Sequence, residues 1–126
     1  MGCRETRALE LDELRHWRIV AHVVFIETPI FTKEIVRLLP DDSYRRLQFA
    51  LFLRPQTGDL IRGSGGLRKI RWEAPGRGKR GGLRVIYYWD VPDRIFMLLP
   101  YPKNEQEDLT PAQLKKLRAV VEEWLK

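Results

Sequence analysis

Apolar runs and polar breaks alternate along the chain at intervals that define a short list of elements. Residues 1–18 are dense in charge, and only Leu11, Leu14 and Trp17 recur at threefold spacing. This stretch therefore reads as a leader, either a short amphipathic helix or disordered. Ile19–Ile26 is apolar at both parities and broken only by His22, the pattern of a strand covered on both faces and hence central in a sheet. Thr28-Pro29 supplies an N-cap with proline at the first helical position, and Phe31, Ile35 and Leu38 give the helix that follows one apolar face. Pro40 ends it. Asp41 caps a second helix reaching about Arg54, with Tyr44, Leu47 and Leu51 on one stripe. Phe49, Phe52 and Leu53 widen that stripe, which predicts a deeply packed helix. Pro55-Gln56-Thr57-Gly58 breaks it.

Beyond the connection Gly63-Ser64-Gly65-Gly66 the period changes to two, with strands at Leu67–Trp72, Leu83–Asp90 and Ile95–Leu99. A basic loop, Ala74–Gly82, separates the first two, and Val91-Pro92-Asp93 turns the second into the third. Thr110-Pro111-Ala112-Gln113 is a capping box with proline at its first helical position. It opens a helix with Leu114, Leu117, Val121 and Trp124 on its apolar side. The order β-α-α-β-β-β-α predicts a small single α+β domain over residues 19–126, with a mainly antiparallel sheet and helices packed on one face.

A length of 126 residues fits one domain, and a mixture of 44 % hydrophobic and 32 % charged residues excludes a disordered chain. No stretch is long enough to cross a bilayer and no signal peptide is visible, so a cytoplasmic protein without a membrane partner is expected. The single cysteine, Cys3, excludes an internal disulfide framework. Charge is more informative once it is located. Residues 61–89 hold eight basic side chains (Arg62, Arg68, Lys69, Arg71, Arg77, Lys79, Arg80 and Arg84) against one acidic, Glu73, a surplus of +7 that holds the whole positive excess, since the rest of the chain sums to −1 and the total is +6. A clustered positive field of this kind attracts polyanions, nucleic acid foremost.

Strand alternation orients these cations. Ile70 and Trp72 share one parity, Lys69 and Arg71 the other, and Arg84 alternates with Ile86 and Tyr88. An open sheet face bearing Lys69, Arg71, Arg84 and Lys103, with Tyr88 or Tyr101 nearby, would place cations on phosphates and aromatics on bases. Basic strands are also ordinary solvated faces, so composition alone does not choose between the two. The glycine runs lack the Lys-Ser/Thr of a phosphate-binding loop and precede a strand, which makes them turns. His16 and His22 have no ligand-spaced partner, and the carboxylates Glu105, Glu107 and Asp108 precede a helix whose dipole explains them. No cofactor and no metal are expected, and any phosphodiester chemistry would be metal-independent.

Three ordered segments resemble the HigB-type toxins of the RelE/ParE superfamily. They are Gly58-Asp59-Leu60-Ile61-Arg62-Gly63-Ser64-Gly65-Gly66-Leu67-Arg68-Lys69-Ile70-Arg71, Gly78-Lys79-Arg80-Gly81-Gly82-Leu83-Arg84-Val85-Ile86-Tyr87-Tyr88, and Tyr101-Pro102-Lys103-Asn104-Glu105-Gln106-Glu107-Asp108-Leu109-Thr110. The resemblance covers about Val20 to Trp124. It implies the toxin of a bacterial type II toxin–antitoxin pair, a ribosome-dependent mRNA endonuclease that enters the ribosomal A site, cuts the message and stops translation. Such toxins are similar in fold to small microbial ribonucleases but work with Lys, Arg and Tyr.

Carried over by position, the resemblance assigns Lys69 and Arg71 to the basic pair on the first meander strand and Arg84 to the arginine opening the next, with Lys103 in the basic segment after the last. Asn104 and Leu109 stand near the places where RelE has an arginine and a catalytic tyrosine, which leaves Tyr101 as the nearby substitute. The expected reaction is attack of a 2′-hydroxyl on its adjacent phosphate. Lys69, its pKa lowered by neighbouring cations, assists deprotonation. Arg71 and Arg84 stabilise the phosphorane, and Lys103 or Tyr101 protonates the 5′-oxygen. Arg62, Arg68, Arg77, Lys79, Arg80 and Tyr88 would hold ribosomal RNA or message. The implied partners are the ribosome with its mRNA and rRNA, and a cognate antitoxin, HigA-like with a helix-turn-helix. The alternatives are a ParE-like DNA gyrase inhibitor without nuclease activity and a non-catalytic RNA-binding module; the Leu67–Arg71 and Tyr101–Leu109 segments favour the HigB branch.

Overall fold

The computed structural model describes residues 4–10, 22–73 and 82–126. Their elements run β1 (Arg4–Glu10), β2 (His22–Glu27), α1 (Pro29–Leu38), α2 (Asp41–Leu53), β3 (Asp59–Leu60), β4 (Arg68–Trp72), β5 (Leu83–Asp90), β6 (Arg94–Pro102) and α3 (Pro111–Trp124). The six strands form one sheet in the order β1-β2-β6-β5-β4-β3, antiparallel except where β2 lies parallel to β6. A small α+β domain with a mostly antiparallel sheet is thus present.

Local chemistry explains the helix starts. Thr28 caps α1, its Oγ1 accepting from the Phe31 N–H at 3.0 Å and donating to the Leu98 carbonyl at 2.8 Å, with Pro29 in the first turn. Thr110 and Gln113 form the reciprocal capping box of α3. Asp41 does not cap α2: the cap is Pro40, with no side-chain bond, and Asp41 and Asp42 both lie in the first turn. There they face the positive end of the helix dipole. Glu27 is buried at the end of β2, where its carboxylate accepts from Thr32 Oγ1 at 2.6 Å and Tyr44 Oη at 2.5 Å.

The helices do not share one face of the sheet. α1 and α2 cover one side, where Phe31, Ile35, Leu47 and Leu51 meet Phe25, Val85, Tyr87, Ile95 and Met97. α3 covers the other, where Leu117, Val121 and Trp124 meet Ile86, Tyr88, Phe96 and Leu98. The reason is that β5 and β6 are apolar at both parities, so each face needs its own cover. α2 in turn is less deeply packed than its composition implies. Phe49 and Leu53 remain 49 % and 58 % exposed, because a helix lying on one face of a sheet buries a single stripe.

Two further departures concern strands. Residues 4–10, assigned by pattern to a leader, form β1 and pair antiparallel with β2, which makes β2 an interior strand; Leu11, Leu14 and Trp17 lie outside the described residues. In β6 the register slips by one residue, so that Ile86 opposes Leu99 while Tyr87 opposes Met97. The extra residue, Leu98, reverses the side-chain alternation along β6. Ile95 and Met97 point toward α1 and α2, whereas Leu99 and Tyr101 point toward α3.

Candidate active site

The bulge at Leu98 decides which face Tyr101 joins. Arg71 on β4 pairs with Arg84 on β5, and Arg84 pairs with Tyr101 on β6, so the three form one row across three strands. Residues directly opposite each other project from the same face, here the α3 face. Lys69 stands on that face two residues from Arg71, opposite Ile86. Lys103 follows β6, with its backbone N–H bonded to the Gly82 carbonyl at 2.9 Å. Arg71, Trp72, Glu73, Gly82, Arg84 and Lys103 line a cleft of about 380 Å³ there. Elsewhere on this face α3 packs over Ile86, Tyr88, Phe96 and Leu98.

The cations differ in their surroundings. Arg84 is 7 % exposed, with its guanidinium against Gly82; Arg71 and Lys103 are exposed. None of the three forms an ion pair with a described residue. Lys69 does: its Nζ lies 2.9 Å from Asp108 Oδ1. The premise that cations crowd Lys69 and prepare it as a base is therefore replaced by a carboxylate contact. Asp108 reaches the site from the loop before α3, and the pattern of alternating residues gave no reason to single it out.

Tyr101 is buried, and its hydroxyl has no hydrogen-bond partner of good geometry among the described residues. Burial, seconded by the charge of Asp108, raises its pKa, and this outweighs the opposing pull of Arg84 and of the nearby Leu109 backbone. The phenol is thus a proton-bearing group at neutral pH, buried beside Arg84 and outside the lining of the cleft.

Other candidate residues fall outside the cleft. Arg68 projects from the opposite face, where its Nη1 donates to the carbonyls of Gln56 at 3.0 Å and Gly58 at 2.7 Å. Tyr88 stacks on Phe96, with ring centroids 6.2 Å apart, and packs under α3. Arg62 is exposed on the turn before β4, away from the cleft lining. Arg77, Lys79 and Arg80 lie outside the described residues. The glycine run serves the turn: Gly63, Gly65 and Gly66 have φ of 70°, 73° and 111°, and Ser64 Oγ accepts from the Leu67 N–H at 2.9 Å. A side chain at Gly66 would also strike Tyr88, whose Cε1 lies 2.9 Å from the position a Cβ would take.

Among the described residues no group of three or more His, Cys, Asp or Glu side chains is placed to hold a metal ion, and no helix is long and apolar enough to cross a membrane. The arrangement is a row of cations lining a cleft at one end of the sheet, with a buried phenol beside Arg84, suited to a phosphodiester. A family model described as the RelE toxin of the RelE / RelB toxin-antitoxin system matches residues 58–126, the part of the chain that holds every one of these groups.

Proposed function

Because the chain belongs to the RelE toxin family, and is thus the toxin of a toxin–antitoxin system with a cognate antitoxin as partner, we propose that it is a ribosome-dependent mRNA endonuclease of the HigB type. The observation that carries the reading is the row Arg71–Arg84–Tyr101 with Lys103 beside it, in which the three cations have no ion-pair partner among the described residues. Unneutralised cations held by three adjacent strands are preorganised for charge that develops during a reaction, and that is where electrostatic stabilisation is worth most.

The ribosome aligns the message so that a 2′-hydroxyl stands in line with its own phosphate, which supplies much of the orientation. Lys69, held beside Asp108, faces the 2′-oxygen and stabilises the charge that develops there as the hydroxyl proton passes to a water molecule. Arg71 and Arg84 receive the charge of the phosphorane. Lys103, on the rim, gives its proton to the departing 5′-oxygen, while Tyr101 stays protonated beside Arg84. The products are a 2′,3′-cyclic phosphate and a 5′-hydroxyl. No step requires a cofactor. Arg62, with Arg77, Lys79 and Arg80, would grip ribosomal RNA through phosphate contacts that carry no sequence information. The antitoxin would be a HigA-like, helix-turn-helix protein, and the site of action the cytoplasm.

Induction in a bacterial host followed by primer extension on an abundant message tests this. The wild type should leave new 5′ ends inside translated codons, and Lys69→Ala/Arg84→Ala should leave none. Growth arrest with intact mRNA would move the protein to the gyrase-inhibitor class. Intact mRNA without arrest would contradict nuclease action altogether.

A further inference from the structure

Lys69 alone among the four cations of the site has a counter-charge among the described residues, and the contact is built rather than incidental. Asp108 comes from a segment clamped to the start of α3. Gln106 Nε2 donates to the Asp108 carbonyl at 2.9 Å and to Gln113 Oε1 at 2.8 Å, and Gln113 belongs to the capping box of Thr110. The clamp presents the Asp108 carboxylate to Lys69 Nζ at 2.9 Å, across 39 residues of sequence. Yet the Asp108 side chain is 73 % exposed and that of Lys69 30 %. An ion pair this open to water adds little to stability, so holding the fold is a weak reason for the clamp.

Its consequence for a polyanion is larger. A phosphate that enters the row must displace Asp108 from Lys69 or bind with a carboxylate beside it, and either course subtracts from affinity. We propose that Asp108 is an internal competitor for RNA phosphate at Lys69, which lowers the affinity of the cleft for any RNA so far that strands with an ordering cost of their own no longer bind. Free single strands must be ordered on binding as well as displace Asp108. A backbone held by the ribosome has been ordered beforehand and meets only the second cost. This inference rests on the reading of the cleft as an RNA site, and it names what keeps that site off loose RNA.

The test is fluorescence anisotropy with a labelled, 2′-O-methylated single-stranded oligoribonucleotide, which binds but cannot be cut, titrated across a salt series. Asp108→Asn should bind about two- to fivefold tighter at low salt, the range of a solvent-exposed ion pair. Its plot of log affinity against log salt should steepen by about 0.7, one more phosphate contact on a single strand. Asp108→Ala should behave alike. Glu107→Gln makes the same change of net charge next door and should do neither, and on a Lys69→Ala background Asp108→Asn should bring no gain. Unchanged binding by both Asp108 variants, or an equal gain from Glu107→Gln, would overturn the proposal while leaving the cleft an RNA site. If Arg71→Ala and Arg84→Ala do not weaken wild-type binding, RNA does not use the cleft, and the underlying reading falls together with the inference.

Discussion

Replacing Tyr87 by phenylalanine removes one oxygen atom, and the structure fixes what that atom does. Tyr87 is fully buried, and its Oη accepts from the Gly58 N–H at 2.8 Å and donates to the Pro55 carbonyl at 2.7 Å. It therefore ties the segment leaving α2 to the middle of the sheet. Gly58 is buried too, so its N–H is left without a partner and away from water, at about 1–3 kcal/mol. The Pro55 carbonyl is half-buried, and water can replace most of its bond, so the further cost is about 0.5 kcal/mol. Tyr87→Phe should thus destabilise the domain by about 1.5–3.5 kcal/mol, read as a lower urea midpoint at unchanged slope. The closeness of this contact also explains the glycine at position 58. A Cβ there would lie 2.8 Å from both Cε1 and Oη of Tyr87 and 3.1 Å from the Lys69 carbonyl, so Gly58→Ala should cost about 1–3 kcal/mol through overlap. A shift below about 0.5 kcal/mol for Tyr87→Phe would place it with neutral surface changes and refute the claim that this hydroxyl anchors the loop.

Two other perturbations follow from the same geometry. Thr110→Ala removes the cap of α3 and loosens the Gln113–Gln106 clamp, and should lower stability by about 1 kcal/mol in the same denaturation assay. Burial raises the pKa of both Tyr87 and Tyr101, so the folded state keeps these protons longer than the unfolded chain. The stability they contribute is complete below the ordinary phenol value of about 10 and is lost as pH rises through their folded values. Urea midpoints should therefore fall as the solution is made more alkaline than about pH 10, and less steeply in Tyr87→Phe; a pH-independent midpoint would contradict this.

How far the sequence could be read depended on the range of the interaction. Features settled within a few residues were legible: the Thr28-Pro29 start, the Thr110 capping box, the glycine turn before β4, and the parity that sets Lys69 and Arg71 apart from Ile70 and Trp72. Features settled by pairing across the chain were not. One extra residue at Leu98 turns Tyr101 to the site face, and alternation read along β6 alone cannot register it. The exposure of Phe49 and Leu53 follows from where α2 lies on the sheet, which composition does not encode. β1 is a charge-dense segment that gains its strand geometry from β2. Asp108 looked like helix-dipole compensation because the cation it meets is far away in sequence. The cation row itself was legible twice over, from its alternation and from the resemblance, because sheet registers preserve parity. Arg68 and Tyr88 were read as RNA contacts, since a guanidinium on backbone carbonyls and a ring under a helix leave no mark in a local pattern.

The most direct test of the central claim is single-turnover cleavage of a defined message in purified ribosomes, with its vacant A site positioned over a known codon. The message should be cut in that codon only when the ribosome is present, with ends bearing a 2′,3′-cyclic phosphate and a 5′-hydroxyl, and at a rate about 10²–10³-fold lower for folded Arg84→Ala, with little recovery in Arg84→Lys because an ammonium cannot reproduce the guanidinium's fork. Equal cutting of the free message, or full activity in Arg84→Ala, would contradict the claim.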